Sequence, residues 1–80
     1  MFFSLTHVKL AEATCLNQNR ARWAFVLLSD GTLKGTRLGV TGGTSKFFSD
    51  VQDLDRYLSW CTKNGWSVRR SGELQRQLSV

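Results

Sequence analysis

The sequence predicts an α+β domain, a three- to four-stranded, mostly antiparallel sheet with one amphipathic helix packed on one face. Three observations predict it. Ser49–Trp66 reads S-D-V-Q-D-L-D-R-Y-L-S-W-C-T-K-N-G-W, a helix with a start, an apolar stripe and a stop. Arg22–Leu28 reads R-W-A-F-V-L-L, an aromatic and branched run suited to a strand. Asp30-Gly31 follows, a turn dipeptide favoured in β-hairpins. A single amphipathic helix cannot bury its own stripe, so the strands before it supply the surface it needs.

Taken in order, residues 2–10 alternate in Phe3-Ser4-Leu5 and again in Val8-Lys9-Leu10, with a slip at Thr6-His7, as a strand carrying a bulge would. Ala11–Leu16 leaves a short helix open, because Ala-Glu-Ala favours one. Asn17-Gln18-Asn19 is a polar turn. Arg22–Leu28 and Thr32–Val40 then form a hairpin. A two-residue type I′ turn at Asp30-Gly31 would set Leu27 opposite Lys34, Phe25 opposite Thr36 and Trp23 opposite Leu38. That register gives a bulky face of Trp23, Phe25, Leu27, Leu38 and Val40 to receive the helix. The other face carries Arg22, Val26, Leu33 and Arg37, with Gly35 and Gly39 leaving room for close approach.

Thr41-Gly42-Gly43-Thr44 reads as a turn, and Lys46-Phe47-Phe48 as a short extended entry to the helix. Ser49 and Gln52 make an S-x-x-Q capping box. Val51, Leu54, Tyr57, Leu58 and Cys61 share one stripe at helical spacing. Asp50, Asp53 and Asp55 near the start and Lys63 near the end suit the helix dipole. Gly65 fits the left-handed C′ position, with Trp66 as its apolar partner against Cys61. Trp66-Ser67-Val68 reads as a last short strand. The tail 71–80 leaves a helical turn (Leu74, Leu78), strand alternation or flexible chain open. The expected core is Trp23, Phe25, Leu27, Leu38, Val51, Leu54, Leu58, Cys61 and Trp66.

Eighty residues make one small domain, 1–80. At this size folding buries only about 60 % of the chain's surface, so homodimerisation is a further way to gain stability. Two cysteines, Cys15 and Cys61, are too few for a disulfide scaffold, and reduced thiols in a cytoplasmic protein are expected. No stretch has the length of a membrane span or the pattern of a signal peptide.

The net charge is +5 and unevenly spread. Residues 1–46 hold six Lys or Arg against two acids, residues 47–64 two against three, and residues 65–80 three against one. Seven of the eleven basic residues are Arg, whose planar fork suits phosphates and stacking. No enzyme motif accompanies them. Asp50, Asp53 and Asp55 read as an acidic helix start, since the loop lacks the glycine and terminal Glu of a calcium site. His7 is the one histidine and has no local nucleophile pattern beside it. Thr41–Lys46 lacks the spacing of a phosphate loop. No metal, cofactor or catalytic activity is expected.

What remains is a binding protein. Arg20, Arg22, Arg37, Arg69 and Arg70, with Lys9, are the candidate contacts to nucleic acid, DNA or RNA, and Trp23 and Trp60 the candidate stacking groups. The alternative is a host protein or nucleoprotein bound through the same Arg-and-apolar face. In layout, the β-β-turn-helix order resembles phage integrase arm-binding domains and some anti-CRISPR inhibitors. The second likeness implies a phage- or mobile-element-type inhibitor or adaptor. It is a likeness of fold, without a shared motif.

Overall fold

A computed structural model describes residues 7–16, 20–39 and 45–79. In chain order these form β1 (His7–Cys15), β2 (Arg22–Leu28), β3 (Leu33–Arg37), β4 (Ser45–Phe48), α1 (Val51–Lys63), β5 (Trp66–Arg70) and α2 (Gly72–Leu78). The fold is α+β with an antiparallel sheet, as expected, but the described residues form five strands and two helices rather than three or four and one. The strand order is β4-β3-β2-β1-β5, so β1 lies inside the sheet. The predicted turns at Asn17-Gln18-Asn19 and Thr41-Gly42-Gly43-Thr44 lie outside the described residues. So do residues 2–6 of the first strand, Val40 and Val80.

The hairpin between β2 and β3 corrects the predicted register. Three residues turn it, not two. The Gly31 amide donates to the Leu28 carbonyl at 2.9 Å, the Leu28 amide donates to the Thr32 carbonyl at 2.9 Å, and Gly31 sits at φ +90°. This is a type I turn closed by a left-handed glycine. The Asp30 carboxylate accepts from the Thr32 amide at 2.9 Å and braces the loop. The pairs are therefore Leu27–Leu33, Val26–Lys34, Phe25–Gly35, Ala24–Thr36 and Trp23–Arg37. A one-residue change moves every β3 side chain to the opposite face. Leu33 and Gly35 turn into the core, while Leu38, expected there, is 39 % exposed.

The register is held at Gly35. A Cβ built there would lie 2.6 Å from Cε1 of Phe25, so the ring covers the glycine backbone. Phe25 is 1 % exposed and meets Phe48 and Tyr57 edge-on, with ring centroids 5.8 and 6.0 Å apart. Leu10, Ala11, Ala13, Leu33, Leu54, Leu58 and Leu74 complete the buried cluster around it.

In β1 the pairing with β2 slips between Lys9 and Ala11, which makes Leu10 the extra residue of a bulge and buries it completely. The slip lies three residues beyond the break in alternation at Thr6-His7. Ala11–Cys15 is strand, not helix. It pairs with β2 on one side and β5 on the other, and this inside position overrides the propensity of Ala-Glu-Ala.

α1 begins one residue later than the capping box implies. Asp50 is the N-cap, and its carboxylate accepts from the Asp53 amide at 2.9 Å. Leu54, Leu58 and Cys61 are buried from the predicted stripe, with Val51 and Tyr57 packed at its edge. Gly65 takes φ +86° just past the helix, as expected. The tail resolves into α2. Ser71 caps it, accepting from the Leu74 amide at 3.2 Å, and the Ser71 amide donates to the Leu10 carbonyl at 2.8 Å. Leu74 is thereby fully buried.

Two outcomes test the register. Leu33→Ala should cost about 2–5 kcal/mol in chemical denaturation, whereas Leu38→Ala should cost under about 0.5 kcal/mol. The reverse order would restore the two-residue turn. Gly35→Ala should destabilise by about 1–3 kcal/mol through overpacking against Phe25. Gly72→Ala, where an added Cβ meets nothing within 4 Å, is the matched control.

Candidate functional site

Residues directly opposite in adjacent strands share a face, so the register sorts every side chain. Both helices pack on the Phe25 side, through Leu54, Leu58 and Leu74. Among the described residues no element covers the other side. That open face receives Lys9, Glu12 and Thr14 from β1, and Arg22, Ala24, Val26 and Leu28 from β2. It receives Lys34 and Thr36 from β3, Ser45 and Phe47 from β4, and Ser67 and Arg69 from β5. Four cations, Lys9, Arg22, Lys34 and Arg69, thus share a face with one carboxylate, Glu12.

Glu12 sits among them. Its Oε1 lies 3.3 Å from Lys9 Nζ and 3.3 Å from Arg22 Nη2, and Arg69 is its register partner on β5. The hydrogen-bonded Lys9 ammonium and the nearby Arg22 guanidinium hold the Glu12 carboxyl below its ordinary value. One shallow concavity lies on the face, and another opens at the β1–β5 seam. The first, about 280 Å³, is lined by His7, Ala24, Val26, Lys34, Thr36 and Leu38 among others. The second, about 260 Å³, lies beside the β1 bulge against Lys9, Glu12, Arg69, Arg70 and Ser71.

The sequence-predicted contacts are divided by the fold. Arg22 and Arg69 reach the open face. Arg70, one residue on, turns to the helix side. There its Nε donates to Asp55 at 2.8 Å and its Nη2 to Ser59 at 3.3 Å. Arg37 lies opposite Trp23, so it is also on the helix side, at an exposed position, and the predicted pairing of Arg22 with Arg37 on one face is corrected. Arg20 is exposed in the β1–β2 connection with φ +46°. Trp23 belongs to the helix side and packs against the core.

Sequence reasoning missed Lys34 and Phe47. The two-residue turn had placed Lys34 with the core and Leu33 outside. The hydrophobic pattern itself argues for the opposite choice. Phe47 read as part of a lead-in to the helix, but Phe47 and Phe48 alternate in a fourth strand, with Phe48 on Phe25 and Phe47 67 % exposed.

Other clusters do less. Tyr57 and Trp60 stack at 5.8 Å on α1, with Lys46 Nζ 4.7 Å from the Tyr57 ring centroid. Asp53 pairs with Arg56, as expected for an acidic helix start. No group of His, Cys, Asp and Glu among the described residues could hold a metal ion. His7 lies on the open face and Cys61 is buried on the other side, so the sheet separates them. Cys15 ends the strand that His7 begins, roughly 25 Å away. Both thiols are free, and burial pushes the Cys61 thiol up. No described helix is long and apolar enough to cross a membrane. Comparison with protein-family models, curated proteins and solved structures returned no match.

The charged network sets an acid limit. Glu12, Asp30, Asp53 and Glu73 all titrate below their ordinary values. The causes are hydrogen bonds from Lys9, Thr32, Arg56 and Arg76 respectively. A lowered native value means that the unfolded chain binds protons first. The stability these groups add is complete above the ordinary values of 4.5 for Glu and 3.8 for Asp, and is lost as pH falls through the lower native ones. Urea midpoints should show this contribution constant down to about pH 5 and falling below it. An opposite trend, with stability gained on acidification below that point, would contradict the pairing.

Proposed function

We propose that this chain is a non-enzymatic binding protein whose open sheet face holds nucleic acid. The observation that carries the reading is the gathering of Lys9, Arg22, Lys34 and Arg69 on the uncovered face, against Glu12 alone. The acids at the start of α1 stand on the other side. A polyanion approaching the open face meets a surplus of positive charge, and releasing its counterions drives association. Backbone contacts of this kind carry affinity without sequence preference. Arg20 stands near the start of β2 and extends the basic area. The tail adds little, because Arg76 is held by both carboxylate oxygens of Glu73.

A second reading draws on the same face. Leu38 and Phe47 are 39 % and 67 % exposed, and Val26 lines one concavity with Leu38, as an interface with a protein would have it. The protein would then act as an inhibitor or adaptor that occludes a protein or nucleoprotein.

Fluorescence anisotropy with labelled DNA and RNA across a salt series tests the first reading. Affinity should fall log-linearly with salt. Replacing Arg22 and Lys34 by Ala should lower the slope by about 0.7 per contact on a single strand, or about 0.9 on a duplex. Glu12→Gln should act in the opposite direction and tighten binding at low salt, because it removes the one acid of the face. Absence of binding at low salt would sink the nucleic-acid reading. Capture of a protein target that Leu38→Asp abolishes, with little salt dependence, would establish the second.

A further inference from the structure

The open face is ribbed at right angles to its strands. One row runs Phe47–Lys34–Val26–Lys9, each residue directly opposite the next. The next row is Ser45–Thr36–Ala24–Glu12–Arg69. Its β4, β3 and β2 members are all small, and Ala24 is recessed to 9 % exposure. A third row brings Leu38 beside Arg22, where the Leu38 amide donates to the Arg22 carbonyl at 2.8 Å. On β3 and β2 a small residue stands between larger ones, Thr36 between Lys34 and Leu38 and Ala24 between Val26 and Arg22, so the surface dips there. On β1 and β5 the same row is filled by Glu12 and Arg69, and the Lys9–Glu12–Arg22 ion pairs close the dip at β1. The concavity lined by Ala24, Val26, Leu28, Lys34, Thr36 and Leu38 includes this dip and runs along β2 and β3.

Resting on the nucleic-acid reading of this face, we infer that the ligand is a single strand lying across the open face, with one base stacked on Phe47. Two observations select it. Lys34 on β3, Arg22 on β2, Lys9 on β1 and Arg69 on β5 put a cation on each of four successive strands, so a polyanion crossing the sheet is neutralised along its length. Phe47 is 67 % exposed although Phe48, its neighbour, already supplies the core contact of β4. An aromatic face at the end of a cationic row is a stacking platform, and every base has a face to offer it. In a duplex those faces are already stacked on one another, so Phe47 would contribute nothing.

The test compares a fluorescein-labelled oligothymidylate of about 12 nucleotides with its duplex on oligoadenylate. The parent protein should prefer the single strand. Phe47→Ala should weaken single-strand binding roughly 5- to 150-fold and leave the salt slope unchanged. Its urea midpoint should match the parent, because the ring is exposed. Phe47→Trp should restore affinity, and its emission should be quenched by the single strand and not by the duplex. Equal or tighter duplex binding, or a Phe47→Ala change within about twofold, would overturn the single-strand inference and leave the basic-face reading to its own salt test. No binding of either form would overturn both.

Discussion

Phe25 lying across Gly35 is the contact on which the rest of the arrangement depends. Glycine within a strand costs about 0.5–1 kcal/mol in backbone entropy. Here it lets a core ring lie flat against the neighbouring backbone, where any Cβ would collide with it. Shifting β3 by one residue would put Thr36 under the ring and turn Lys34 toward the helices. The three-residue turn at Ser29-Asp30-Gly31 and the Phe25–Gly35 contact therefore specify the same register from two places. Everything outward of β3 inherits it. Leu33 in and Lys34 out at β3 become Phe48 in and Phe47 out at β4.

The same sorting separates charge. Arg69 and Arg70 are neighbours in sequence, yet a strand sends them to opposite faces. Arg70 is neutralised by Asp55, and Arg69 joins the uncovered cations. On the open face Lys9 and Arg22 come close enough to share one oxygen of Glu12, and like charges at that separation repel. Glu12 offsets part of that repulsion by bridging Lys9 and Arg22. Under the proposed nucleic-acid reading a polyanion would relieve the remainder, and binding would then add to stability. The exposed aromatic and the recessed Ala24 row give the face shape as well as charge.

Much of this was legible in the residues. The helix stripe of Leu54, Leu58 and Cys61, the glycine stop at Gly65 and the β2–β3 hairpin could all be read, because each has a local cause. The α+β class followed from them. Arg22 and Arg69 could be picked out as candidate contacts, yet their common face could not. That depends on a single residue of turn length, and Asp-Gly serves two hairpin types. Leu33 set against Lys34 was the available discriminator. The inside place of β1 depends on pairing with β5, about fifty residues later, which no local pattern encodes. Arg70 looked equivalent to Arg69 until α1 supplied Asp55.

The place of β1 bears on the order in which the domain can be made. β2, β3 and β4 follow β1 as a meander, so each finds its neighbour soon after it is synthesised. β5 is the exception. It must return to the free side of β1, and it brings Ser71 to the Leu10 carbonyl at the bulge. At roughly 5–20 residues per second, a ribosome takes a few seconds to go from Cys15 to Trp66. For that interval a nascent strand bearing Ala11, Ala13 and Cys15 presents an unpaired edge, the kind of template on which chains join one another. β5 thus closes an edge that β1 would otherwise leave unpaired, and a chain cut before Trp66 would keep that edge bare.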